Sequence, residues 1–411
     1  MKKTIIIILA VLALIVLLQD FFLKKKKNTP LSPRPYVVML SLDGFRWDYQ
    51  DKTETPNLDF LTKNGVKADG LQPAFPSKTF PNHYTIATGL YPGNHELISN
   101  SFYAPDINNH YTMGDRSKVE NGKFYKGEPI WVTAEAQRVK TASYFWVGSE
   151  AKIKGYQPTY WKKYDHNFPY EQRIDSVINW LEKPYGERPH LVTWYLDQTD
   201  GVGHKFGPDS PEIKTSVHYL DSIVGIFINK LNSTKIKDSV NFIIVSDHGM
   251  GALTEGKTIY LEEHMNLNWM DTSFGKNPFA LIDAKEDCAD SIINSLKKIE
   301  GLSVWKKEDI PERFHYKQSK RVSDIVVVAD SGWTVTYKNK GRSYTGGTHG
   351  YDNTNKDMYG IFYGIGPNFK TNYNAGTLYN VDIYNLIANI LEIKPAPNDG
   401  TPENIFHVLK E

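Results

Sequence analysis

YVVMLSLDG, residues 36–44, decides the fold. Tyr36–Leu42 is a mostly apolar run, as expected of a strand buried on both faces, and it stops at Asp43-Gly44. An acid at the carboxyl end of a central strand stands where α/β proteins bind ligands, although a lone Asp there also serves as an ordinary turn residue. The same grammar recurs. LVTWYL (191–196) runs into DQTDGVGH (197–204), and NFIIV (241–245) runs into SDHG (246–249). Thr141–Val147 is a further strand-like run, ending at Gly148-Ser149-Glu150. Helical patterns lie between these strands. They cover PNLDFLTKN after Thr55, residues 128–139, a stretch from Glu171 through Leu181, and a long segment capped by Ser210-Pro211 and running to Leu231. Strand, acid-bearing loop and helix in alternation predict an α/β fold, a mainly parallel central sheet with helices on both faces.

Between about 253 and 344 the rhythm changes. FALIDA (279–284), a helix over 287–299 and strand-like runs near Leu302 and over 324–329 predict a small inserted α+β subdomain. The core resumes with GGTHGYD (346–352), the strand YGIFYG and a last helix over about 380–391. Residues 101–128 are polar with little periodicity and read as loop.

The chain has 411 residues and a formal net charge of +1, from 48 basic and 47 acidic side chains. That balance gives no basic face for a nucleic-acid polymer, and none is expected as a partner. Cys288 is the single cysteine, which rules out a disulfide within the chain and a multi-thiolate zinc site, so any metal would fall to His and carboxylate. At the N-terminus, Lys2 and Lys3 precede an apolar run from Ile5 to Leu18, extended by Phe21–Leu23 and followed by four lysines. Through Leu23 this reaches spanning length and shows no small-residue cleavage site, so residues 1–33 are expected to be an uncleaved signal anchor, with a signal peptide as the alternative. The lysines after the run argue against an outward-facing remainder on charge alone. Residues 34–411 are then expected to form the folded domain that carries any activity, with the inserted subdomain within it.

The chemistry gathers around PSKTFPNHYTIATGLYPGNHELISN, residues 76–100. Thr79 is expected just before a helix with Pro81 at its first position and Gly89 at its end, where unpaired N–H groups favour phosphate oxygens. A bare threonine hydroxyl needs a base or a metal to act as a nucleophile. Asp43, Asp200, His204, Asp247, His248 and His349 follow apolar strands or sit in Gly-rich loops, and together they make a ligand set suited to Zn²⁺ or a similar ion. Six ligands divide naturally into two sites of three. Singly, each has an ordinary reading as a loop start or a solvated histidine. The recurrence of the pattern sets the six apart.

SLDG around Asp43, KTFPNHYTIATGLYP around Thr79, HELISNSFY around Asn100, DGVGHKFGP, VSDHGM and THGYDN together resemble the nucleotide pyrophosphatase/phosphodiesterase family of the alkaline phosphatase superfamily. The motifs keep the family's order and span Asp43 to Asn353, in what resembles the single-module form found in bacteria. The resemblance implies two zinc ions per chain, one held by Asp200, His204 and His349, the other by Asp43, Asp247 and His248 with Thr79 close by. It implies attack on phosphorus by Thr79 and a phosphothreonine intermediate. It places a phosphoryl oxygen on Asn100 and the backbone N–H of Phe80. The expected substrates are nucleotide phosphodiesters or pyrophosphates, cleaved to nucleoside 5′-monophosphates, with Phe80, Tyr164 and Tyr195 against the base. A phospholipid or phosphocholine diester is the alternative substrate, and a catalytically idle, membrane-tethered binding protein the alternative function. The resemblance and the N-terminal run imply an exported, periplasmic or cell-surface location. Nothing in the sequence fixes the oligomeric state.

Overall fold

The computed structural model describes residues 34–341 and 343–411. The expected N-terminal anchor lies outside the described residues, among which no helix is long and apolar enough to cross a membrane. Eight strands form the main sheet: β1 (Tyr36–Leu42), β2 (Val66–Lys67), β3 (Thr141–Tyr144), β4 (Tyr160–Lys162), β5 (Leu191–Leu196), β6 (Val240–Val245), β7 (Phe362–Ile365) and β8 (Tyr373–Asn374). Their order is β8-β2-β7-β6-β1-β5-β3-β4. The five strands from β6 to β4 are mutually parallel, and β7 runs antiparallel between β6 and β2. The sheet is mainly parallel, as the sequence predicts.

The helices that matter for the site are α1 (Pro56–Asn64), α2 (Thr79–Thr88), α3 (Tyr170–Leu181), α4 (Gln198–Phe206), α5 (Pro211–Asn232) and α6 (Ile383–Ile390). β1 shows how both faces are covered. Val37 and Met39 join one core with Ile86 and Ala87 of α2 and Ile383 and Leu386 of α6. Tyr36, Val38, Leu40 and Leu42 join the other with Leu58 of α1, Ile174 of α3 and Val217 of α5. The alternation of side chains along a strand therefore seats helices on opposite faces. Because β1, β5 and β6 are adjacent and parallel, their carboxyl ends share one edge of the sheet, and the segments that follow them, bearing Asp43, Asp200 and Asp247, converge there.

Within residues 253–344, the strands Met270–Gly275, Phe279–Ala284, Ile325–Ala329 and Leu302–Lys306 form an antiparallel sheet in that order, with the helix Ala289–Leu296 against it. The last three strands follow the expected runs closely, Met270–Gly275 is a strand the sequence did not announce, and the helix is shorter than expected.

Three expectations are corrected. The 101–128 segment is not all loop: Ser101–Ala104 and Asn109–Thr112 pair as an antiparallel hairpin that buries Phe102 and Tyr111. Two alternating residues per strand were too few to show as periodicity. Thr79 is the first residue of α2, not the residue before it, with Lys78 as N-cap and Pro81 in the first turn, where no intrahelical N–H is needed. Gly89 closes α2 in the left-handed conformation (φ 66°). Finally, DQTDGVGH is no Gly-rich loop, because Gln198–Phe206 is helical. Gly201 and Gly203 weaken helix propensity, but a Cβ on Gly203 would come within 3.0 Å of Met250, so packing favours the glycine there.

Candidate active site

Asp43 and Asp247 stand just beyond β1 and β6, while Asp200 and His204 occupy one face of α4, four residues apart. His349 comes from far along the chain. It is brought back by a two-residue antiparallel pairing of Gly347–Thr348 with Gly251–Ala252, just after His248. The structure thus gathers all six expected ligands at one sheet edge.

Their polar atoms face one another closely. His248 Nε2 lies 3.0 Å from Asp247 Oδ2 and 3.5 Å from Asp43 Oδ1. Asp200 Oδ1 lies 3.4 Å from His204 Nε2 and 3.6 Å from His349 Nε2. The imidazoles of His248 and His349 stack with centroids 3.5 Å apart, so the two expected trios form one continuous cluster. In each histidine Nδ1 is taken by a backbone carbonyl: Gly347 for His204, Gly249 for His248 and Ser77 for His349. That arrangement fixes the ring and turns Nε2 toward the cluster.

Grouped by atoms within 4.8 Å of one another, two sets emerge: Asp200, His248 and His349, and Asp43, His83 and Asp247. His248 therefore sits between the two expected sites, and the half-exposed His204 stands at the edge. His83 is a member that the sequence reading missed.

The cluster fits divalent cations. Asp43 Oδ1, Asp200 Oδ1 and Asp247 Oδ2 are buried without a hydrogen-bond partner. Buried carboxylate oxygens in that state are costly unless something positive faces them. Burial, then the charges of Asp247 and Asp200, pushes the Asp43 carboxyl well above its usual range. Burial opposes the charge on Asp247 too, but His248 and His83 hold its carboxyl well below the usual range. Burial, reinforced by His248 and Lys78, pushes His349 well below the usual histidine value and leaves it neutral, with a lone pair to donate. The Tyr195 hydroxyl donates to Asp43 Oδ2 at 2.6 Å and the Gly44 N–H to Asp247 Oδ1 at 3.3 Å, so each outer oxygen is held while the inner one is left free.

Thr79 Oγ1 lies 3.2 Å from His248 Nε2. The same hydroxyl lines a cavity of ≈ 330 Å³ that opens beside the cluster. Phe80, Phe145, Trp146, Tyr164 and Tyr195 give this cavity an aromatic wall, and Arg116, Glu150 and Asp197 give it polar corners. Phe80 N–H donates to Asn100 Oδ1 at 3.0 Å, so the two groups expected to hold a phosphoryl oxygen are joined to each other, and Asn100 has its Nδ2 to offer. Lys78, next to Thr79, donates to the carbonyls of His349 and Asn277, and burial lowers its pKa to about 8 against a weak opposing pull from Asp200.

The sequence model of type I phosphodiesterase/nucleotide pyrophosphatase matches residues 37–352. The chain belongs to that family. It is 36% identical over 391 residues to human ectonucleotide pyrophosphatase/phosphodiesterase family member 1, covering 92% of this chain and 42% of the relative. It is 35% identical over 386 residues to venom phosphodiesterase 2 of Crotalus adamanteus, covering 91% of this chain and 47% of the relative. The chain thus spans about half the length of the curated relatives it matches. Murine ectonucleotide pyrophosphatase/phosphodiesterase 5 superposes with a TM-score of 0.87 at 34% identity, over 91% of this chain and 100% of that one. An inactive threonine-to-alanine variant of that murine protein, in complex with AMP, superposes with a TM-score of 0.88 at 33% identity, over 92% of this chain and 100% of that one. The fold is alkaline phosphatase-like, with the mainly parallel sheet and flanking helices described above.

Arg116, Phe145, Trp146 and Glu150 of the cavity were not singled out by sequence. Glu150 obeys the rule that found Asp43, since it follows a strand-like run, and that rule would have found it. Arg116 pairs directly with Glu150 on the cavity wall and carried no such signal.

Proposed function

We propose that this chain hydrolyses nucleotide phosphodiester or pyrophosphate bonds, releasing nucleoside 5′-monophosphates, with Thr79 as the nucleophile and two Zn²⁺ as cofactors. The observation that carries the reading is the position of the Thr79 hydroxyl, which faces the carboxylate–imidazole cluster on one side and the aromatic cavity on the other. Asp200, His204 and His349 would hold one ion, and Asp43, Asp247 and His248 the other, with His248 able to reach either. When bound, the ions supply Lewis-acid charge that lowers the hydroxyl's pKa and offsets charge on the leaving oxygen.

The chain's own residues do the rest. The aromatic wall of Phe80, Tyr164 and Tyr195 gives a base a flat, sequence-tolerant surface. Asn100 Nδ2 and the first turn of α2 receive phosphoryl oxygens, at the positive end of the helix dipole. Thr79 Oγ1 loses its proton to solvent and attacks phosphorus; the bond to the leaving oxygen breaks, and its electron pair departs with that oxygen. Water then attacks the phosphothreonine, the Oγ1–P bond breaks, and the monophosphate leaves as Thr79 is reprotonated. The names of the relatives, venom and ecto-proteins, support an exported location; attachment through residues 1–33, if that segment stays uncleaved, rests on the apolar run of the sequence alone.

The test compares a nucleotide phosphodiester, a phosphocholine diester and a phosphate monoester on residues 34–411 with Zn²⁺. The nucleotide diester should be fastest, and Thr79→Ala should lower its turnover by about 10⁴-fold or more. A faster phosphocholine diester would overturn the substrate assignment and keep the mechanism. Turnover of none of them would point to an idle binding protein. An unaffected Thr79→Ala would remove the nucleophile.

A further inference from the structure

His83 is fully buried, one helical turn after Thr79, and has a partner on every polar atom of its ring. Its Nδ1 lies 3.0 Å from the Thr79 carbonyl oxygen and 3.3 Å from Asp247 Oδ2. Its Nε2 lies 2.8 Å from Ser41 Oγ. These partners settle the tautomer. A carbonyl and a carboxylate can only accept, so Nδ1 carries the proton. In the neutral ring Nε2 then accepts, and the Ser41 hydroxyl donates to it. The ring has little room to turn, since Trp146 and Tyr195 meet it edge-on at 5.3 and 5.2 Å between centroids.

Three elements meet at this imidazole. Ser41 belongs to β1, two residues before Asp43. Thr79 opens α2. Asp247 follows β6. Its Nδ1–H bonds the backbone carbonyl of the nucleophile and lies 3.3 Å from the inner oxygen of a candidate ligand, close beside it without closing a hydrogen bond to it. We propose that His83 is a positioning residue, which holds Asp247 and the α2 turn bearing Thr79 in one arrangement, so that cation uptake and alignment of the nucleophile depend on the same ring. It is not a catalytic residue, because its ring reaches the nucleophile only through the Thr79 backbone carbonyl. The proposal rests on the reading that the Asp43–Asp247 cluster holds a divalent cation, and its test separates the two.

The measurement is calorimetric titration of the chelator-stripped full chain with Zn²⁺ alone, paired with the melting temperature of the stripped protein. Asn places an amide N–H close to where His carries Nδ1–H, whereas Leu offers no donor. His83→Leu should weaken one of two Zn²⁺ sites by about 10–100-fold, the usual size of an outer-shell loss, while His83→Asn stays within about threefold of the parent. Turnover should follow in kcat more than in KM. A purely structural histidine would instead give a lower melting temperature in both variants without separating their affinities. Leu binding both ions as the parent does, or Asn failing as badly as Leu, overturns the proposal. Should the His83 variants not fold, Ser41→Ala decides: it keeps the ring and removes the bond to Nε2. An affinity loss of about threefold or more supports the role, and an unchanged affinity overturns it. A parent chain that takes up no Zn²⁺ removes the metal reading beneath the proposal, and with it the proposal.

Discussion

At the scale of single residues, the site is a set of atoms that need a positive charge. Three inner carboxylate oxygens are buried without partners, and three histidines turn Nε2 toward them because carbonyls occupy Nδ1. A folded chain that binds a cation its unfolded form cannot bind gains stability by mass action. Each ion held at a free concentration 100-fold above its Kd adds about 2.7 kcal/mol. Dialysis against a chelator should therefore lower the calorimetric melting temperature by several degrees, and Zn²⁺ should restore it. Asp200→Asn should blunt the restoration, because the inner oxygen then carries no charge. A melting temperature indifferent to chelator would argue that the six residues form only a hydrogen-bonded core. The six were legible in the sequence because each follows a strand or lies in a glycine-marked segment. His83 was not, because its meaning lies in Ser41 and Asp247, distant in sequence and adjacent only once β1, α2 and β6 are packed.

At the scale of elements, the central strands β1, β5 and β6 were readable because strands of a sheet covered on both faces are continuous apolar runs bounded by turn residues, whereas β2, β4 and β8, of two or three residues each, are too short to carry such a pattern. The elements that escaped are those whose stability comes from outside themselves. α4 contains two glycines and is held by packing against the loop after β6. The 101–112 hairpin is short and is held by burial of Phe102 and Tyr111 and by ion pairs at its turn, chiefly to one side chain. Buried Arg321 donates through Nε and Nη2 to both oxygens of Asp106 at 2.8 Å, and through Nη1 to the carbonyls of Phe124 and Glu96. Asp106 sits in the hairpin's turn, and Arg321 belongs to the segment between 253 and 344. Arg321→Met should cost about 2–4 kcal/mol in denaturant unfolding, since it strands the carbonyls as well as the carboxylate. The pH dependence has a definite sign. The Arg321 hydrogen bonds lower the Asp106 pKa to about 2 from an ordinary 3.8. A depressed carboxyl contributes stability that is complete above its unfolded value and lost as pH falls through its folded one. Asp106→Asn should therefore be less stable than the parent at neutral pH, and the gap should narrow between about pH 4 and about pH 2. A gap constant over that window would mean that the carboxylate's charge plays no part.

At the scale of the whole molecule, the family match ends at residue 352, but the fold does not. β7 comes after that point, and it is an interior strand of the main sheet, between β6 and β2. Its residues Phe362–Ile365 bond Phe242–Val245 along one edge and Val66–Lys67 along the other. Helix α6 follows, and its Ile383, Leu386 and Ile387 share a core with Ile86 and Ala87 of α2, the helix that opens on Thr79. A chain ending at 352 keeps every candidate ligand and the nucleophile. It exposes the edge of β6, however, and uncovers the apolar face of α2, and an exposed, flat apolar strand edge is a template for aggregation. Chain 34–411 is therefore expected to be soluble, with a single cooperative melting transition. Chain 34–352 is expected to aggregate or to lack near-ultraviolet circular dichroism, and to bind no Zn²⁺ tightly despite holding all six ligands. The comparison asks whether the site is a property of its motifs or of the sheet that aligns them. If 34–352 melts cooperatively and takes up two ions, the motif-bearing segment is self-sufficient. The antiparallel strand and last helix would then be additions to the site, with no share in supporting it.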